Sequence, residues 1–135
     1  LNALDTSVLA RFFVDDDEDD QAAIQRPAAV DALSQRGFVT VTVLLEFEWV
    51  MRGFYRLSRG QVAQVVSALA AIEHITLEDR AAVLTALDGY ASGLDFADAL
   101  HLARSERATA FLTFDRKLAR RAVAAGFGPP VNLLA

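Results

Sequence analysis

Residues 111–118 read FLTFDRKL. An apolar run ends at Phe114, an aspartate follows at once, and two cations come directly after it. TAFLTF (109–114) has the composition of a buried strand, and DRKLARRAVAAG (115–126) that of a helix stopped by Gly126. An acid at the junction has two physical uses. It can accept backbone N–H groups at the start of the helix, or it can hold a cation.

The same change of pattern recurs along the chain. LNALD (1–5) opens as a short strand and TSVLARFF (6–13) as a helix, with Thr6 or Ser7 able to cap it. QAAIQRPAAVDALSQRG (21–37) predicts a helix ending at Gly37 and kinked or interrupted at Pro27. FVTVT (38–42) predicts a β-branched strand. VLLEFEWVMRGFY (43–55) is too continuously apolar for one exposed face and predicts a mostly buried helix. In SRGQVAQVVSALAAI (58–72), Val62, Val65, Val66, Leu69 and Ile72 fall at helical spacing behind a Ser58 cap. HITL (74–77) reads as a short strand, residues 78–93 and 95–107 as helices, and VNLL (131–134) as a last strand after Pro129 and Pro130. Strands alternating with helices imply an α/β fold, a parallel sheet covered on both faces. Ligands of such sheets gather at the carboxyl ends of the strands, where Asp5 and Asp115 stand. Neither repeats nor a linker interrupt residues 1–135, so a single domain is expected.

Composition narrows the chemistry. Of the 135 residues, 53% are apolar, enough for one core and too many for a disordered chain. No apolar run approaches the ~20 residues needed to span a bilayer, and no secretory signal is visible, so no membrane association is expected. The absence of cysteine removes disulfides, thiolate nucleophiles and Cys-based zinc sites, and fits a cytosolic protein. His74 and His101 are too few and too far apart for a histidine-rich metal site. The formal charge is −5, but residues 15–20 are DDDEDD, and without them 13 cations face 12 acids. That acidic run reads as a solvated loop leading into a helix. From Phe96 onward six cations face three acids, so this end of the chain suits a phosphate backbone.

The remaining acids differ in how easily packing explains them. Asp5 and Asp115 are each explained by a capping role, and Glu48 by Arg52 four residues on. Asp95 can cap a helix whose first turn holds Asp98, where an anion is welcome; Leu94, Phe96, Ala97, Ala99 and Leu100 nevertheless make the surroundings of both apolar. Glu46 is harder to explain. Its helical neighbours are Val43, Trp49 and Val50, so the spacing predicts a carboxylate stripped of water and in need of a cation, a proton or a metal. Several carboxylates cannot share a pocket as free anions, and a divalent cation removes the conflict. Oxygen ligands without His or Cys suit Mg2+ or Mn2+, which can orient water for in-line phosphoryl displacement.

Four segments in order, LDTSVL (4–9), LLEFEWV (44–50), DFADALHLA (95–103) and LTFDRKL (112–118), resemble the PIN-domain family and, within it, the VapC-type ribonuclease toxins of toxin–antitoxin systems. The likeness covers nearly the whole chain. It implies a PIN-like three-layer sandwich, a central parallel sheet of four or five strands flanked by helices, usually as a homodimer. It implies an Mg2+- or Mn2+-dependent endoribonuclease that is cytoplasmic, prokaryotic and neutralised by a VapB-like antitoxin. Carried over by position, the metal-holding and catalytic acids are Asp5, Glu46, Asp98 and Asp115, with Asp115 direct or through water. Thr6 and Thr113 match supporting hydroxyls. Asp95 is a further supporting residue outside the Asp98-Ala99-Leu100 triplet on which the family pattern centres.

Other residues carry two readings each. His101, one turn beyond Asp98, reads as a core or boundary histidine or as a partner of the acids. Lys117, Arg120 and Arg121 share a helix face that is either solvated or in contact with RNA, and Arg116 beside Asp115 is a better phosphate candidate. Trp49 and Phe54 read as core, or as part of a groove for a partner's amphipathic helix. The alternatives to a toxin are a PIN nuclease of housekeeping RNA processing without antitoxin, and a catalytically inactive RNA- or protein-binding module. A haloacid-dehalogenase-like phosphatase would place a second acid at position 7, where Ser7 stands. A receiver domain would end a late strand in lysine, whereas the single lysine, Lys117, follows Asp115.

Overall fold

In the computed structural model, which describes residues 1–135, the chain divides into two compact units, Leu1–Glu78 and Asp79–Ala135. The first unit runs β1 (Asn2–Ala3), α1 (Thr6–Phe13), α2 (Asp20–Leu33), β2 (Gly37–Val39), α3 (Val41–Gly53), α4 (Arg59–Ala71) and β3 (Ile75–Leu77). Its strands form a parallel sheet in the order β1-β2-β3, with Asn2 opposite Gly37 and Gly37 opposite Ile75. Gly37 leaves little room there: a Cβ would stand 2.8 Å from Ile75 Cδ1 and 2.9 Å from Leu4 Cδ1, so both side-chain ends would have to shift. Helices α1, α2 and α3 pack together around Leu9, Leu33, Leu44, Phe47 and Met51, all buried, with Phe13 and Phe47 rings 5.9 Å apart. Burial of such side chains is worth roughly 1.5–3 kcal/mol each and holds the short strands in place.

The second unit runs α5 (Arg80–Ala91), α6 (Phe96–Arg104), β4 (Phe111–Thr113), α7 (Arg116–Ala125) and β5 (Val131–Leu133). α5 and α6 pack closely, and the buried rings of Tyr90 and Phe96 meet edge to face at 5.5 Å. β4 and β5 are parallel, with Phe111 opposite Val131 and Thr113 opposite Leu133. Gly126 closes α7 in the left-handed region, φ +74°, where glycine is the least costly residue.

The fold is thus α/β with parallel strands and helical cover, as expected. The strands pair as a ladder of three and a ladder of two, where one ladder of four or five was expected. They are also shorter than their sequence patterns. FVTVT is the clearest case: the strand stops at Val39, and Val41, Thr42 and Val43 form the first turn of α3. Thr40 Oγ1 accepts the N–H of Val43 at 3.2 Å and Glu78 Oε1 accepts that of Val41 at 2.9 Å. Two orphan donors of the helix start are thereby satisfied, which outweighs the β preference of these side chains.

Two further expectations change. α2 runs through Pro27 without interruption. α3 buries one stripe, Val41, Leu44, Phe47, Glu48 and Met51, and leaves Trp49 65% and Phe54 70% exposed, so neither aromatic is core. The acidic run behaves as read: Asp19 caps α2 by accepting from Gln21 and Ala22, and Asp16 accepts from Glu18. No helix is long and apolar enough to cross a membrane.

Candidate functional site

Asp5 stands where β1 gives way to α1. Leu4, buried, ties the strand to β2 through its N–H to Phe38 O at 2.9 Å, and buried Leu9 anchors the helix. The Asp5 backbone carbonyl accepts from Val8 and Leu9, but its side chain makes no capping bond. Its Oδ2 accepts the Ser7 hydroxyl at 3.2 Å, and the carboxylate is exposed. The capping explanation therefore does not apply to Asp5. Thr6 beside it is 6% exposed, and its Oγ1 is buried without a hydrogen-bond partner.

Glu46 lies on the open side of α3 and is exposed, so the desolvation expected for it is not found. That burden falls on Glu48, 4% exposed, whose Oε2 accepts from Arg52 Nε at 2.6 Å. The reason is angular: the buried stripe of α3 passes through 44, 47, 48 and 51 and turns 46 away from it. Asp5, Thr6, Ser7 and Glu46 line one pocket of about 360 Å3, together with Arg11 and the aromatic residues Trp49, Phe54 and Tyr55.

In the second unit, Asp95 caps α6, its Oδ2 accepting the Asp98 N–H at 3.4 Å. Asp98 is half-buried in the first turn. Its carboxyl is held above the ordinary value of 3.8, first by burial, then by the charges of Asp95 and Asp115, with His101 acting the other way. Asp115 is a true cap: its Oδ1 accepts the Leu118 N–H at 3.0 Å, and its own N–H donates to Thr113 Oγ1 at 3.0 Å. Asp95, Asp98 and Asp115 line a pocket of about 200 Å3 with Lys117, Leu118 and Arg121. Arg121 is engaged elsewhere, donating to Gly93 O at 2.9 Å. His101 is exposed, so the core reading fails, and it is the one group that eases the crowding of charge on Asp98. Arg116, Lys117 and Arg120 are exposed on α7.

Each unit therefore presents its own acidic pocket, and none of Asp5, Glu46, Asp98 and Asp115 is in an ion pair. Burial, and then the charges of Asp95 and Asp115, raise the cost of ionising Asp98, which a bound cation would offset. The donor set, carboxylate and hydroxyl oxygens, has the chemistry of a hard divalent ion. No group of three or more Asp, Glu, His or Cys side chains is gathered closely enough to hold an ion. Sequence reasoning missed the Ser7 bond to Asp5 and the contact between Arg11 and Tyr55. The first has a signal, a hydroxyl two residues after an aspartate; the second joins residues 44 apart and has none.

Among known protein families, the model described as PIN domain matches residues 3–124, a span that contains all four acids. No curated protein and no solved structure matches the chain.

Proposed function

The chain belongs to the PIN-domain family, whose members are generally nucleases, and from that premise we propose that it is a divalent-cation-dependent endoribonuclease of the VapC type. In this reading Asp5, Glu46, Asp98 and Asp115 are the metal-holding carboxylates, and RNA phosphodiester bonds are the substrate. The observation that carries it is the family match over 3–124 with the four acids inside it, across both compact units. That span also supports treating residues 1–135 as one functional domain.

The state of the side chains supports the reading. Asp5 is not spent on a cap, and Asp115 spends one oxygen on Leu118, keeping Oδ2 for another partner. Ser7 and Thr113 hold the two junctions by hydrogen bonds to the Asp5 carboxylate and the Asp115 backbone. When bound, Mg2+ or Mn2+ supplies charge that offsets the crowded carboxylates and orients water against the phosphate. Arg116, Lys117 and Arg120 offer α7 to the RNA backbone. Neutralisation by a VapB-like antitoxin, homodimerisation and a place in the prokaryotic cytoplasm belong to the same proposal. They are tested by relief of growth arrest on antitoxin co-expression and by mass in solution.

The deciding experiment is cleavage of total cellular RNA with and without Mn2+, with the new ends mapped. We expect metal-dependent cutting by the parent chain and none by folded Asp98→Asn. Equal cutting by the two proteins, or no cutting by the parent, defeats the proposal.

A further inference from the structure

Trp49 and Phe54 are the large exposed aromatics of the first unit, and Trp49 lies three residues after Glu46, on the same side of α3. Both line the pocket that also holds Asp5 and Glu46. We propose that this pocket is a nucleobase subsite, in which Trp49 stacks on one unpaired base of an RNA strand. It rests on the ribonuclease reading, because it takes Asp5 and Glu46 to mark where the strand lies.

Three features point to a base. The volume, about 360 Å3, is at the small end of the ~300–1,000 Å3 typical of small-ligand sites and suits one planar group. A docked amphipathic helix would instead need anchor sites over several turns, at i, i+3, i+4 and i+7. The Phe54–Tyr55 side of the aromatic wall is also held in advance. Tyr55 Oη accepts from Arg11 Nη1 at 3.1 Å, and Arg11 Nε donates to Gln25 Oε1 at 2.9 Å. The Phe54 ring then meets Tyr55 edge to face at 4.9 Å. A wall held this way loses little freedom when a ligand arrives. Finally, the wall combines π faces with polar neighbours. Thr6, which also lines the pocket, carries a hydroxyl without a partner, and buried polar atoms are normally satisfied. A base presents both a face to stack and edges to hydrogen-bond, and only an unpaired base can offer its face.

Trp49 is the sole tryptophan, so its fluorescence reports this pocket without any need for turnover. The probe is a single-stranded RNA octamer added to the full chain carrying Asp98→Asn, with binding followed separately by anisotropy. We expect saturable quenching by the octamer, and none by a ribose–phosphate octamer lacking bases or by the same octamer in a duplex. In the cleaving protein, Trp49→Ala should raise KM roughly five- to hundred-fold, the loss of one stacked base, with kcat changed far less, and Trp49→Phe should recover most of it. Octamer binding without quenching, equal quenching by the base-free polymer, or no octamer binding overturns the subsite. Quenching by an amphipathic helical peptide but not by RNA overturns it in favour of a protein-docking surface. Quenching by bases in a protein that cuts no RNA upholds the subsite and removes the nuclease reading alone.

Discussion

Asp115 is expected to do two separable things, and two substitutions part them. Its Oδ1 accepts the N–H of Leu118, whose side chain is 5% exposed and anchors α7. Asparagine caps a helix as well as aspartate does, whereas alanine forfeits about 1 kcal/mol, so Asp115→Ala should lower Tm by about 3–4 °C in a chain of this size and Asp115→Asn by far less. The carboxylate charge is absent from both. RNA cleavage should therefore fall in both, by roughly tenfold to a hundredfold, as Asp115 helps hold the metal in the proposed reading. Removing that charge also removes one of the two anions that hold the Asp98 carboxyl high, so its value should fall toward 3.8 in either variant. The assays are thermal unfolding, RNA cleavage in Mn2+, and an NMR titration of the Asp98 carboxyl. An Asn variant that cuts RNA at the parent rate refutes the site assignment. An Asn variant as destabilised as the Ala variant refutes the capping argument and assigns α7 to charge on the helix dipole instead.

The pH dependence has a definite sign at Asp98. Its folded-state value is raised above 3.8, so below pH 3.8 it is protonated whether folded or not, and stability falls as pH climbs through the folded-state value. Asp98→Asn should accordingly be more stable than the parent at pH 7 by chemical denaturation, with the gain gone below pH 3.8. Glu46→Gln, at an exposed position, should change stability by no more than about 0.5 kcal/mol while abolishing cleavage. Glu48→Gln should do the reverse, costing about 1–3 kcal/mol through its buried bond to Arg52; matching urea midpoints for the two variants would contradict this. Gly128→Ala should cost about 1–3 kcal/mol in thermal unfolding, because φ is +77° and a Cβ would stand 2.9 Å from Leu102 O.

How much was legible can be followed residue by residue. The Ser58 cap and the Gly126 stop depend on neighbours within three or four positions, and both were readable from spacing. Asp5, Asp98 and Asp115 stand at or near helix starts, whereas Glu46, six residues into α3, drew notice only through its apolar neighbours; the resemblance alone joined the four. Their roles were less legible. Asp5 and Asp115 look alike in sequence, yet one caps its helix and the other does not. Glu46 and Glu48 differ by two residues; the expected pair of Glu48 with Arg52 is present, but the face that α3 turns inward buries Glu48 and leaves Glu46 exposed.

From the chain alone came the alternation of strands and helices, the Ser58 cap and the Gly126 stop, because these follow from residue type and short spacing. Only the folded chain decided where FVTVT stops being a strand, which glutamate loses its water, and that the single tryptophan faces outward. Glu78 reaches Val41 across 37 residues, and burial is set by every element packed against a helix. No window of sequence contains contacts of that range.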